Sequence, residues 1–272
     1  HLARVLRRGE WYRQTLLPTG LPTGPAPSTL AEPYREGGVY VVVGGAGGLG
    51  KAWSRHVIET VDARVAWIGR RALDEEIQAS IDELSRLGET PLYVSADAGD
   101  RHDMARAKAE ILEHFGRVDG VVHSAIVLAD RGLAHMDEDR FRAALGAKLD
   151  VSVCLAEVFG GESDELDFLL FFSSMTAFEK APGQSNYAAG CTFKDAFARR
   201  LGRDRSFAVK IVNWSYWGSI GVVSDPAIRE RMAGAGIGSI EPEDGMEALG
   251  TLLRQPVDQL GFIKTVGTQV LY

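Results

Sequence analysis

The chain has 272 residues, of which 45% are hydrophobic and 25% charged, with a formal net charge of −7. That balance fits one large α/β domain with a substantial core, or one domain with a small appendage, and argues against a nucleic-acid partner. Two cysteines, Cys154 and Cys191, imply no disulfide framework and fit a reducing cytoplasm; no metal site is expected, the N-terminus lacks the apolar stretch of a signal peptide, and no apolar run approaches the ~20 residues of a membrane span.

Residues 1–36 read as a separate N-terminal segment, and 37–272 as the main domain. Leu2–Leu17 has room for a helix or strand piece, and Pro18–Ser28 is a linker by composition. The abrupt start reads as a piece of something longer. Val39–Val43 is a short strand of mostly β-branched residues, followed by Gly44-Gly45-Ala46-Gly47-Gly48-Leu49-Gly50 and a helix over Gly50–Thr60. Glycines there permit a tight turn and let the backbone approach a pyrophosphate, while the helix N-terminus offers free N–H groups and partial positive charge. This is the expected dinucleotide loop.

A second strand, Arg64–Ile68, ends in Gly69-Arg70-Arg71. An NAD site often has an acid at this point, whereas guanidinium groups suit a 2′-phosphate, so Arg70 and Arg71 favour NADPH. A helix over Asp74–Leu87 and a third strand over Pro91–Ser95 lead to Asp97 and Ala98. Asp97 either accepts from an adenine amino group or caps the next helix, Arg101–Phe115. Val118–His123 is a fourth strand, and the small residues Ser124 and Ala125 after it belong close to the cofactor. A long helix over Asp137–Phe159 precedes a fifth strand, Phe168–Phe172. Then come a helix over Gln184–Leu201, a sixth strand over Phe207–Val212, a helix over Pro242–Arg254 and a last strand over Gly261–Lys264. Strands alternating with helices at this spacing give a parallel, doubly wound, Rossmann-type sheet.

Ser174 stands at the carboxyl end of the fifth strand, and Tyr187 near the start of the next helix. A phenol titrates near about 10, and a nearby ammonium favours its ionised form. Ser174 can donate to a developing oxyanion while Tyr187 supplies the proton, which suits reduction of a carbonyl. Two lysines could serve. Lys194 is two helical turns beyond Tyr187 on the same face, a long reach. Lys148, on the preceding long helix, is the better candidate.

Taken in order, Val42–Gly50, Gly146-Ala147-Lys148-Leu149-Asp150, Phe172-Ser173-Ser174, Gly183–Ala189 and Asn213–Gly218 resemble the ketoreductase domain of modular polyketide synthases, a branch of the short-chain dehydrogenase/reductase superfamily. The resemblance covers about residues 37–265. It implies NADPH-dependent reduction of a β-ketoacyl thioester on an acyl carrier protein, with Lys148, Ser174 and Tyr187 catalytic and other synthase domains as partners. The family places an asparagine four residues after the tyrosine, where this chain has Cys191. The stretch Tyr187–Asp195 looks like ketoreductases of trans-acyltransferase assembly lines, where this cysteine is a familiar variant. Leu128-Ala129-Asp130 resembles the motif of the B-type subtype, which implies a D-configured hydroxyl, and Glu179 stands where the opposite subtype has tryptophan. Trp217 belongs to the segment that leads into a substrate lid over about 214–240. The family's N-terminal structural subdomain is represented only by Trp11–Gln14 and its surroundings. Cys191 and that short N-terminus leave open a catalytically inactive, structural module. A free-standing short-chain dehydrogenase is a third reading, disfavoured by the absence of a lysine four residues after Tyr187.

Overall fold

The computed structural model describes residues 4–13, 16–18, 32–161, 165–179, 181–220 and 226–266. The expected linker lies almost wholly outside these residues. Before it stands a hairpin of β1 (Arg4–Arg7) and β2 (Glu10–Arg13), antiparallel and exposed along its whole length. The piece that could have been helix or strand is therefore strand.

The main body begins with β3 (Val39–Val43), α1 (Gly48–Val61) and β4 (Arg64–Gly69), followed by α2 (Glu75–Leu84), β5 (Leu92–Ser95) and α3 (Arg101–Phe115). Its second half holds β6 (Gly120–His123), α4 (Glu138–Phe159), β7 (Phe168–Ser174), α5 (Ser185–Leu201) and β8 (Ala208–Trp214). It closes with α6 (Pro226–Gly234), α7 (Pro242–Arg254) and β9 (Gln259–Phe262). The sheet runs β5-β4-β3-β6-β7-β8-β9, and every pairing in it is parallel. The strand order reverses between β3 and β6, so a crevice opens beyond their carboxyl ends.

All five residues of β3 are buried, as a strand covered on both faces requires. The alternation of side chains sorts them. Tyr40 and Val42 join an apolar layer with Trp53 and Val57 of α1, Ile77 and Ile81 of α2, and Leu249 of α7. Val39, Val41 and Val43 join the opposite layer with Met104 and Ile111 of α3 and Leu155 and Phe159 of α4. The result is three layers, helix on sheet on helix.

The expected lid segment is not merely a loop. It contains α6, and its far end is fastened to the body by a bridge between Ile237 and Thr265 and by Gly238 N–H donating to Lys264 O at 2.7 Å. Residues 221–225 within it lie outside the described residues. No helix among the described residues is long and apolar enough to cross a membrane.

Candidate active site

The crevice encloses about 1110 Å³ and is lined by Gly44, Gly47, Arg70, Asp97, Ser124 and Ala125, among others. The glycine loop shapes its floor. Gly44 has φ +84°, a left-handed conformation that disfavours side chains, and a Cβ there would stand 2.9 Å from the backbone nitrogen of Ala125. Gly45 supports the loop from below: its Cβ would meet the Trp67 ring at 2.1 Å. Gly50 lets α1 press on the turn, since a Cβ there would lie 2.6 Å from Gly44 O. Gly47 caps α1 with no side-chain bond, and the first turn of α1 carries no acid. The first N–H groups of α1 therefore meet no side-chain cap among the described residues, which fits the pyrophosphate of a dinucleotide. Ala46 and Gly48 also line the crevice, whereas Leu49 packs against the apolar layer under α1.

Arg70 and Arg71 both reach the crevice at the end of β4 but are held differently. Arg71 pairs with Glu76 at 2.9 Å and Asp74 at 3.5 Å, and these anions hold its guanidinium above the usual arginine range. Arg70 is exposed, with no ion pair among the described residues. The two readings of Asp97 separate in the structure. The cap of α3 is Asp100, whose carboxylate accepts from the N–H groups of His102 and Asp103. Asp97 lines the crevice beside Ala98, with one carboxylate oxygen accepting from Gly99 N–H at 2.9 Å.

Lys148, Ser174 and Tyr187 meet past the inner end of this crevice. Lys148 rises from α4 almost fully buried, its Nζ donates to Ala125 O at 3.2 Å, and it sits 5.2 Å from the centroid of the Tyr187 ring. Lys148 is thereby the lysine that the tyrosine meets. Ser174, at the tip of β7, donates to Thr176 Oγ1 at 3.0 Å and is close enough to Tyr187 to hydrogen-bond its oxygen. The carbonyl of Ser174 is fixed by Asn213 Nδ2 at 2.9 Å, and Asn213 is braced in turn by Asp195 and Gln259.

In one respect the electrostatics differ from the expectation. Burial pushes the Tyr187 phenol well above its ordinary value, Cys191 adds to this, and the Ser174 hydrogen bond only partly opposes it. The physical reason is enclosure, with the Lys148 ammonium standing over the ring face while bonded to Ala125 O. Tyr187 accordingly keeps its proton, the state a proton donor needs.

Cys191 is fully buried against Tyr187. Asp130 is exposed and accepts from Gln184 Nε2 at 2.8 Å; beside it Arg131 N–H donates to Gly183 O at 2.9 Å. The loop carrying Leu128-Ala129-Asp130 is therefore stitched to the loop that leads into Tyr187. Trp217, expected in the segment that leads into the lid, is buried just beyond the end of β8. Its ring lies in the core, 5.0 Å from Trp214 and against Gly245, where a Cβ would approach it to 2.2 Å. A large apolar ring at a strand's exit finds more area to bury in the core than in an open crevice. Sequence reasoning placed His123 only as close to the cofactor and named Gln184 and Asn213 only as members of resembling segments. His123 is buried with both ring nitrogens unpartnered, and burial, reinforced by Lys194 and Lys148, keeps it neutral.

Comparison with known proteins agrees with this geometry. The family model described as KR domain matches residues 38–219. Polyketide synthase PksN of Bacillus subtilis is 54% identical over 231 residues, 85% of this chain and 4% of that protein. Polyketide synthase ThaG of Burkholderia thailandensis is 50% identical over 260 residues, 96% of this chain and again 4% of the relative. The chain thus spans only a small part of the length of these relatives. Among solved structures, a ketoreductase domain from the bacillaene assembly line superposes with a TM-score of 0.79 at 26% identity, covering 94% of this chain and 61% of that one. An N-terminal ketoreductase from the macrolactin assembly line gives a TM-score of 0.78 at 25% identity, covering 88% and 47%. With glycine loop, serine, tyrosine and lysine all in place on this sheet, the chain belongs to the KR family, the ketoreductase domains of polyketide synthases, on the short-chain dehydrogenase/reductase fold.

Proposed function

We propose that this domain uses NADPH to reduce the β-keto group of an acyl thioester carried on an acyl carrier protein, within a larger polyketide synthase. The observation that carries the reading is the position of Lys148, which joins the crevice to the proton donor: its amine touches Ala125 O on one side and the Tyr187 ring on the other. The glycine loop and the first turn of α1 would hold the pyrophosphate, Arg70 the 2′-phosphate, and Asp97 the adenine. When bound, the nicotinamide supplies the hydride.

The chain's own residues handle the oxygen. The Ser174 hydroxyl, now turned to Thr176, rotates to donate to the substrate carbonyl. Tyr187 gives its proton to that oxygen and is left as a phenolate. A bare phenolate in this enclosed space is costly, and the Lys148 ammonium beside the ring offsets that cost. The loop fastened by Asp130–Gln184 would present one face of the ketone, which with the B-type resemblance gives a D-configured hydroxyl.

The test is NADPH oxidation by the purified chain with a β-ketoacyl thioester, followed by chiral analysis. Tyr187→Phe should lower kcat by roughly 10²–10⁴ and leave NADPH binding intact. Full activity in that variant would remove Tyr187 as the donor. A folded wild-type protein that binds NADPH but turns nothing over would favour the inactive structural module, with Cys191 the first residue to exchange.

A further inference from the structure

Ser174 stands past the part of the sheet that is paired on both sides. Strand β6 ends at His123, opposite Phe171, so Phe172, Ser173 and Ser174 of β7 have a neighbouring strand only on the β8 side. A hydroxyl at such a tip can be aimed at a reacting atom only if something else fixes the backbone that carries it.

Asn213 lies opposite Ser173 on β8, fully buried, and its carboxamide makes three hydrogen bonds. Nδ2 donates to Ser174 O at 2.9 Å and to Asp195 Oδ2 at 2.8 Å, and Oδ1 accepts from Gln259 Nε2 at 2.6 Å. Gln259 Nε2 also donates to Asp195 Oδ2, at 3.0 Å. Asp195 stands on α5 about two turns beyond Tyr187, and Gln259 on β9. A rigid planar group with two donors and an acceptor is a carboxamide; a carboxylate or an alkyl side chain cannot make these bonds. They join the strand tip bearing Ser174, the helix bearing Tyr187 and the last strand. β9 meets the tip a second time, since a Cβ on Gly261 would stand 2.8 Å from the sulfur of Met175, the residue after Ser174.

Stability alone does not account for this network. Asp195 Oδ1, Gln259 Oε1 and Ser173 Oγ are buried with no partner among the described residues, Ser173 lying beside Asp195 without closing a bond to it. Unsatisfied atoms of this kind offset much of what the bonds contribute, and what remains is a fixed geometry.

We propose that Asn213 is a positioning residue. It ties the backbone of Ser174 to the Tyr187 helix through Asp195, with Gln259 as a brace from β9, so that the serine hydroxyl and the phenol converge on one carbonyl oxygen. This rests on the reductase reading, in which both groups serve that oxygen.

The experiment measures kcat and KM for reduction of a β-ketoacyl thioester in wild type, Asn213→Leu, Ser174→Ala and the double variant, with NADPH binding and circular dichroism as controls. Leucine has nearly the shape of asparagine and none of its hydrogen bonds. Asn213→Leu should lower kcat by about 10- to 100-fold, and leave KM and NADPH affinity within about two-fold of wild type. In the Ser174→Ala background the same change should cost less than about three-fold, because no hydroxyl is left to aim. Equal losses in the two backgrounds would mean that Asn213 supports the site only in general, which overturns the proposal. An unmoved kcat, or a raised KM with kcat intact, overturns it as well. If Asn213→Leu folds poorly, Gln259→Met takes its place: the side chain is only half-buried, and the bonds from Asn213 to Ser174 and Asp195 are kept. It should lower kcat by about 3- to 10-fold with Ser174 present and have no effect without it; an unmoved kcat in this variant also overturns the proposal. Inactive wild type overturns the reductase reading and this inference together, whereas active wild type with any of the contrary outcomes overturns this inference alone.

Discussion

Arg70 and Arg71 are neighbours with different freedom to act. Arg71 already satisfies Glu76 and Asp74, whereas Arg70 reaches the crevice with no ion pair among the described residues. A guanidinium that must leave two carboxylates gains less from a new anion than one that leaves only water. Arg70→Ala should therefore weaken NADPH binding by roughly 10- to 100-fold and leave NADH unchanged, as read by fluorescence titration with each cofactor; Arg71→Ala should cost less. Equal losses for both cofactors would show that Arg70 does not contact a 2′-phosphate. At this scale Ser174, Tyr187, Arg70 and the glycines were legible in the sequence, because each sits at a fixed offset from a strand end or helix start. Lys148 was preferred because Lys194 stands two helical turns beyond Tyr187, and the family resemblance agreed. The close approach of Lys148 to α5 was not legible, since that depends on how closely α4 crosses α5 at Gly190, which no spacing within one helix reveals.

The junction of β3 and α1 shows how an element fixes a site. Gly45 bears on the Trp67 ring, while Gly47 faces outward, with Gly44 O at 3.3 Å from its virtual Cβ. Gly45→Ala should cost roughly 1–3 kcal/mol through overpacking, seen as a lower Tm, whereas Gly47→Ala should leave Tm nearly unchanged. An unchanged Tm in Gly45→Ala would mean that the Trp67 ring turns aside freely. The strands and helices of the sheet body were legible because their apolar period is regular. Arg101–Phe115 and Pro242–Arg254 begin and end where their caps and flanking residues predict. The helix α6 was missed for the opposite reason: Arg229, Glu230 and Arg231 give it a charged middle, with glycines on both sides and no apolar stripe. In the N-terminal hairpin, Val5, Leu6, Trp11 and Tyr12 are all exposed, so burial imposes no alternation that could have distinguished strand from helix.

At the scale of the whole molecule, the chemistry gathers at the carboxyl ends of the strands and a polar latch closes the opposite end. Asp119, almost fully buried, accepts from Val39 N–H at 2.7 Å, pairs with Arg117 at 3.0 Å and lies 3.7 Å from Arg35, which also grips Asp167 at 2.6 Å. Asp119→Ala strands a buried amide and breaks the ion pairs, at a cost of roughly 3 kcal/mol. For a domain of this size that lowers Tm by roughly 6–12 °C, while kcat measured well below Tm should hold at the wild-type value. A fall in kcat without a fall in Tm would mean that this end is coupled to the site. The strand order has a further consequence, for the ribosome rather than for the reaction. β3 is made early, but one of its two partners, β6, begins at Gly120. Until that strand emerges, the first half of the sheet carries an open edge of Val39, Tyr40, Val41, Val42 and Val43, with all five side chains destined for the interior. The nucleotide crevice lies on this seam, so a nascent chain is sticky and without a cofactor site together, and a single pairing event ends both conditions.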